Sequence, residues 1–291
     1  MVKILVTGSN GQLGKELREL SSSFPQYNLI FLTREELALE DPRSIRDSFN
    51  KYHPDYCINC AAYTAVDKAE EEKELAFQIN GTGVGLLAAA CKKNNCRFIH
   101  ISTDYVFDGT STVPYKENDA TNPQGVYGAS KLEGEKLALQ NNADIIIVRT
   151  SWVYSEFGKN FVKTMMRLMK EKNEISLVND QFGSPTYATD LAGAILQIIK
   201  SLSFDVSRLT SHPGIYHYSN QGIISWYDFA LAIKELTGSK CKVNPIPTSQ
   251  YPTPAKRPAY SVLDTSKIRE VFGIELKDWK ESLKICLSRI K

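Results

Sequence analysis

No apolar run of 18 or more residues occurs anywhere in the 291-residue sequence, so a membrane-crossing helix is not expected. The apolar stretch at the N-terminus, Val2-Lys3-Ile4-Leu5-Val6, is too short for a signal-peptide core, and a cytoplasmic location without a membrane partner follows as the expectation. Excess charge is also lacking. Lys and Arg number 35 against 33 Asp and Glu, a net of +2, and no basic stripe is visible for a nucleic-acid partner. A few local cations could still hold a small anionic ligand. Internal repeats and low-complexity linkers are absent too. The six cysteines include one C-x-x-C, Cys57 and Cys60, with no second such pair and no His pair at ligand spacing to complete a zinc site. Cys57 and Cys60 fall in a strand-like stretch, where residues three apart face opposite ways, so reduced, buried cysteines are expected.

What is present is alternation. Residues 4–7, 29–32, 56–59, 97–102 and 145–149 are short and aliphatic or β-branched. Between them lie helical patterns near 12–22, 42–51, 75–93 and 126–140. This order predicts an α/β fold: a doubly wound parallel sheet of Rossmann type over residues 1–150, with helices on both faces. After residue 150 the pattern loosens. Helices are expected at 160–170, 190–199, 226–236 and 279–290, and a strand at 214–219 could return to the main sheet. Residues 151–291 are read mainly as a smaller substrate-binding lobe, with returns to the sheet near 180–222. The Pro-rich run from Pro245 to Pro258 reads as a loop.

Directly after the first strand comes Gly8-Ser9-Asn10-Gly11-Gln12-Leu13-Gly14, leading into a helix. Glycine permits the tight turn and close backbone approach, and the helix N-terminus offers N–H groups to a pyrophosphate. The second strand ends Leu32-Thr33-Arg34, without the acid that holds a ribose 2′-hydroxyl in NAD sites. Arg34 could instead meet a 2′-phosphate, which favours NADPH and leaves NADH open. Gly81, Gly83 and Gly85 lie inside a helical pattern and read as close helix packing.

Tyr127-Gly128-Ala129-Ser130-Lys131 opens a helical segment, placing Tyr and Lys on one face a turn apart. Reducing a ketone requires a proton for the alkoxide, and a neighbouring ammonium favours the phenolate form of a phenol. Ser102-Thr103 ends the fourth strand, and ligands sit at the carboxyl ends of such sheets. A hydroxyl there could polarise a carbonyl.

Together the glycine run, Ser102/Thr103 and Tyr127/Lys131 resemble the extended short-chain dehydrogenase/reductase superfamily. Five further segments resemble one of its families, the dTDP-4-dehydrorhamnose reductases, over nearly the whole chain. They start at Ala61 (AAYTAVD), Ser102 (STDYVF), Arg149 (RTSWVY), Asp180 (DQFGSPT) and Arg257 (RPAYS). The resemblance implies NADPH-dependent reduction of the C4 ketone of dTDP-4-dehydro-L-rhamnose to dTDP-L-rhamnose, in nucleotide-sugar and polysaccharide biosynthesis. It makes Tyr127 the general acid, Lys131 the nicotinamide-ribose ligand that lowers the Tyr pKa, and Thr103 the partner of the substrate oxygen. It further implies cofactor contacts from Gly8, Asn10, Gly11, Gln12, Leu13, Gly14, Arg34, Leu39, Ala61, Ala62, Tyr63 and Ser102. Substrate contacts are implied for Val66, Asp104, Tyr105, Trp152 and Arg257.

The sequence departs from the family pattern twice. Leu37-Ala38-Leu39-Glu40 lacks the Asp found near the adenine, so either Asp41 or the Leu39 backbone is expected to serve. Some members bridge a dimer through glutamates and Mg²⁺; Glu16 fits one position, but Thr189 replaces a second acid, so a metal-linked dimer is not the expectation and a monomer or homodimer stays open. Related dehydratases resemble Thr-Asp-Glu at the strand end; here Tyr105 follows Thr103-Asp104, which removes the second acid of elimination. An epimerase, or a non-catalytic regulatory subunit with this fold, are the remaining alternatives.

Overall fold

The computed structural model describes residues 1–204 and 212–290. The chain runs β1 (Val2–Thr7), α1 (Gln12–Leu20), β2 (Tyr27–Phe31), α2 (Pro42–Tyr52), β3 (Tyr56–Asn59), α3 (Val66–Ala69), α4 (Lys73–Phe77), α5 (Gly83–Lys93), β4 (Arg97–Thr103), α6 (Val126–Asn141) and β5 (Ile145–Thr150). It continues through β6 (Val153–Tyr154), α7 (Phe161–Glu171), β7 (Glu174–Val178), β8 (Phe182–Gly183), β9 (Thr186–Tyr187), α8 (Ala188–Phe204), β10 (Gly214–Tyr218), β11 (Ile224–Ser225), α9 (Trp226–Thr237), β12 (Lys242–Ile246), α10 (Ser266–Phe272) and α11 (Trp279–Arg289).

Six strands form one sheet in the order β10-β5-β4-β3-β1-β2, every pairing parallel. Strands buried on both faces alternate their apolar side chains between two cores. Ile4, Val6, Ile58, Ile146 and Val148 pack with Leu17 of α1 and Leu191 and Ile195 of α8. Leu5, Cys57, Phe98, Ile145 and Ile147 pack on the opposite face with Phe49 of α2 and Leu87 and Cys91 of α5. Cys57 and Cys60 accordingly belong to different faces, and the six cysteines are free thiols. A third core, away from the sheet, joins α7, α9 and α11 to β7 and β12 through Met165, Phe229, Ile233, Ile175, Val243 and Leu283.

The single helix expected over 75–93 is broken. A π turn at Gln78–Thr82 separates α4 from α5. Asn80 within it uses its amide to hold Tyr63 N (2.8 Å), Tyr63 O (3.0 Å) and Ser130 Oγ (3.0 Å), so the bulge serves a tertiary contact rather than the helix ladder. Gly85 behind it lets α6 approach, since a Cβ there would lie 2.9 Å from Leu137 Cβ. The Pro-rich run is likewise not all loop: Pro245 and Ile246 complete β12, parallel to β7, where proline can sit because the pair forms a two-stranded sheet.

Candidate active site

The sheet reverses its winding between β1 and β3, and the glycine loop lies at their carboxyl ends. Gly8 has φ +64, and a Cβ on it would stand 2.6 Å from Ala61 N, so the two βα turns touch there through bare backbone. α1 starts at Gly11 with no side-chain cap, leaving its first N–H groups for an anion. Gly14 does different work: its Cβ would meet Ser9 Cα at 2.6 Å, so it seats helix on loop and does not line the cleft. From this loop a cleft of about 810 Å³ runs past Ala61 and Ala62 to Thr103, Tyr127, Lys131 and Trp152. Asn10, Gln12, Leu13, Leu39, Val66, Asp104 and Tyr105 also face it. A tight glycine turn beside the uncapped N-terminus of α1, at the mouth of the cleft, suits a dinucleotide pyrophosphate.

α6 delivers Tyr127 and Lys131. Its first turn is held from outside by Glu70 Oε1, which accepts from Val126 N at 2.8 Å. Gly128 is required there because a Cβ would lie 2.2 Å from Tyr105 O, so the helix start rests directly on the turn that follows β4. The Tyr105 and Tyr127 rings meet edge to face at 5.6 Å. Lys131 is buried, its Nζ donating to Ile101 O at 2.6 Å. Burial lowers its pKa to about 8, although Glu135 and Cys60 oppose this. The Tyr127 phenol is pushed the other way from the expectation, up to about 12, by burial and the Asp104 charge, with Thr103 partly offsetting them.

Thr103 Oγ1 donates to Asp104 Oδ1 at 3.0 Å and accepts from Tyr105 N at 3.2 Å. Asp104 is buried, its pKa raised to about 6 chiefly by desolvation, and its Oδ2 has no partner. Ser102 lines the cleft, but its hydroxyl donates to Glu135 Oε1 at 2.5 Å, joining the buried Arg149–Glu135 pair. Trp152, at φ +48, stacks on Trp226 with centroids 3.5 Å apart and leaves room only for glycine at 183 beneath it.

Other expected residues fall elsewhere. Tyr63 is not on the cleft; its hydroxyl donates to Glu72 at 2.7 Å and its backbone is held by Asn80. Asp41 caps α2 by accepting from Arg43 N at 2.9 Å and does not line the cleft, whereas Leu39 does. Arg34 lines the cleft but its guanidinium pairs with Glu40. Arg257 lies outside the cleft lining and donates to Asp67 Oδ2 at 2.7 Å; Ala255 N binds the other oxygen at 3.2 Å. These two bonds tie the Pro-rich segment to α3. Glu16 is wholly buried, accepting from Ser155 Oγ (2.6 Å) and Thr189 Oγ1 (2.7 Å), with its pKa raised to about 7 mainly by burial. Both Glu16 oxygens are taken up by these hydroxyls with the Glu156 carboxyl beside them, and no group of three or more metal-binding side chains occurs among the described residues.

Sequence reasoning missed His100 and Asn59, behind Lys131, and Glu70, Glu135, Arg149 and Trp226. The first two looked like ordinary members of apolar strands. A buried His or Asn in such a strand was the one available signal, since each must find a partner.

Fold and cleft define a Rossmann-type protein of the extended short-chain dehydrogenase/reductase kind. Residues 2–291 match the family model described as RmlD substrate binding domain. The spore coat polysaccharide biosynthesis protein SpsK of Bacillus subtilis (strain 168) is 45% identical, covering 98% of this chain and 96% of its own. The dTDP-4-dehydrorhamnose reductase of Aggregatibacter actinomycetemcomitans is 43% identical, covering 98% of each. A solved dTDP-4-dehydrorhamnose reductase from Bacillus anthracis, in complex with NADP, superposes with a TM-score of 0.91 at 38% identity, covering 99% of both chains. The chain belongs to the dTDP-4-dehydrorhamnose reductase family.

Proposed function

We propose that this protein reduces the C4 ketone of dTDP-4-dehydro-L-rhamnose to dTDP-L-rhamnose with NADPH, supplying a nucleotide sugar for polysaccharide synthesis in the cytoplasm. The observation that carries this is the convergence of Thr103, Tyr127 and Lys131 at one end of a cleft whose other end is the glycine cradle. Tyr105, rather than an acid, follows Asp104, which leaves elimination without a second carboxyl. The nicotinamide would supply a hydride to the carbonyl carbon.

Gly8, Gly11 and the N-terminus of α1 hold the pyrophosphate in this reading, and Lys131 the nicotinamide ribose. A phenol whose pKa is about 12 is fully protonated at neutral pH, so Tyr127 is loaded to give its proton to the developing alkoxide. Thr103 has one proton, directed at Asp104. It serves the substrate oxygen by rotating or by Asp104 taking up a proton. Val66, Tyr105 and Trp152 bound the sugar, residues from 151 on furnish most of the substrate lobe, and Arg257 is released to the nucleotide phosphates if Asp67 yields it.

The test is NADPH oxidation with enzymatically made dTDP-4-dehydro-L-rhamnose. Tyr127→Phe is expected to lower kcat by ~100- to 10,000-fold while NADPH still binds. A variant at near wild-type rate removes Tyr127 from the role of acid.

A further inference from the structure

His100 is fully buried on β4, and its Nε2 lies 3.4 Å from Lys131 Nζ. Behind the ring a hydrogen-bond chain leads back to β1. Thr7 Oγ1 meets Asn59 Oδ1 at 2.6 Å, and Asn59 Nδ2 lies 3.0 Å from His100 Nδ1. The direction of the chain is fixed from its far end. Ala61 N–H can only donate, and it meets Asn59 Oδ1 at 3.2 Å. The amide therefore turns its oxygen to Thr7 and Ala61 and its NH₂ to the imidazole. An NH₂ donor requires the lone pair on Nδ1. Burial and the nearby Lys131 charge hold the His100 pKa well below the usual value, so the ring is neutral and its one proton sits on Nε2. That N–H faces Lys131.

We propose that His100 is a positioning residue for Lys131, holding the amine between the Ile101 carbonyl and an imidazole N–H and favouring its uncharged form. The inference rests on Lys131 being the cation of the reductase site. An ammonium would set N–H against N–H, whereas the amine donates to Ile101 O and offers its lone pair to Nε2–H. Burial acts in the same direction; Glu135 on α6 and Cys60 after β3 act against it. Tyr127 is the other titratable group on this turn of α6, and Phe98 stacks on the far side of the imidazole at 6.0 Å. A lysine that titrates near neutrality can exchange a proton during turnover, which one of pKa about 10.4 does not.

Two measurements test this. Two-bond ¹H–¹⁵N spectra of the full-length wild-type protein report imidazole tautomers without any turnover. His100 is expected as the neutral Nε2–H form at neutral pH; an Nδ1–H form overturns the proposal. The pH dependence of kcat/KM for NADPH gives the second readout, through the alkaline limb where Lys131 loses its charge. His100→Phe removes the facing N–H, and the limb is expected to move up by about one pH unit. Asn59→Asp keeps the acceptor for Thr7 and Ala61 while placing a second acceptor opposite Nδ1. The ring proton then moves to Nδ1, Nε2 accepts from the ammonium, and the limb again moves up. A purely structural His100 would lower rates without moving the limb. Unmoved limbs in both variants overturn the proposal, whatever their rates. The tautomer spectrum stands apart from the reductase reading, which Tyr127→Phe tests separately.

Discussion

Thr103 and Asp104 are neighbours in sequence whose side chains bond to each other, Oγ1 to Oδ1 at 3.0 Å, on the wall of the cleft. A buried carboxylate is thereby kept beside the proposed reaction centre with one oxygen unpartnered. The arrangement costs stability, and the cost depends on pH. The Asp104 pKa is raised from 3.8 to about 6 by desolvation. The folded protein thus binds this proton more tightly than the unfolded chain, and its contribution to stability is full below about 4 and lost as pH rises through about 6.

Asp104→Asn, which retains an acceptor for Thr103, is therefore expected to stabilise the fold by up to ~3 kcal/mol above that range. The gain should vanish in acid. Calorimetric Tm values at the two ends of the range check this, and an equal gain in acid would trace the effect to packing rather than charge.

Arg34 and Glu40 pose a different question. Their salt bridge lies at the cleft, with Arg34 62% and Glu40 22% exposed, so it is easily opened. A 2′-phosphate would compete with Glu40 for the guanidinium, while Glu40 could accept from a free 2′-hydroxyl. Glu40→Gln is expected to raise the NADPH-to-NADH ratio of kcat/KM several-fold, and Arg34→Ala to lower it about tenfold. Steady-state kinetics with both cofactors decide it; a ratio untouched by either change places cofactor choice elsewhere.

How much of this was legible in the sequence differs by element. The parallel strands were, because Ile4-Leu5-Val6 or Ile145–Val148 must be buried on both faces. The glycine loop and the Tyr127/Lys131 spacing were legible as well, since each rests on local geometry. The π turn at Asn80 was not: it exists to reach Tyr63 and Ser130, far along the chain, and its residues otherwise suit a helix. Nor was β7 with β12, whose polar Glu174, Ser176 and Asn244 hide a pairing formed between distant segments. The direction of the Tyr127 shift could not be read from spacing either. It depends first on how deeply the phenol is buried and then on the Asp104 carboxylate and Thr103 hydroxyl near it, which come from another element.

The same dependence on partners from other elements governs the buried pair behind the site. Arg149 on β5 meets Glu135 on α6 through two bonds, Nε to Oε1 at 2.9 Å and Nη2 to Oε2 at 2.6 Å, both side chains 2% exposed. Ser102 donates to the same carboxylate, and the guanidinium lies over the Phe107 ring at 5.1 Å. Arg149→Met leaves Glu135 buried without its cation and is expected to lower unfolding stability by about 3–5 kcal/mol in urea titrations. Removing both charges, with Glu135→Leu added, should recover a large part of that loss, because desolvation of the ions goes with them. If the double variant is as unstable as the sum of its singles, the two residues act independently and the pair does not anchor α6 to the sheet.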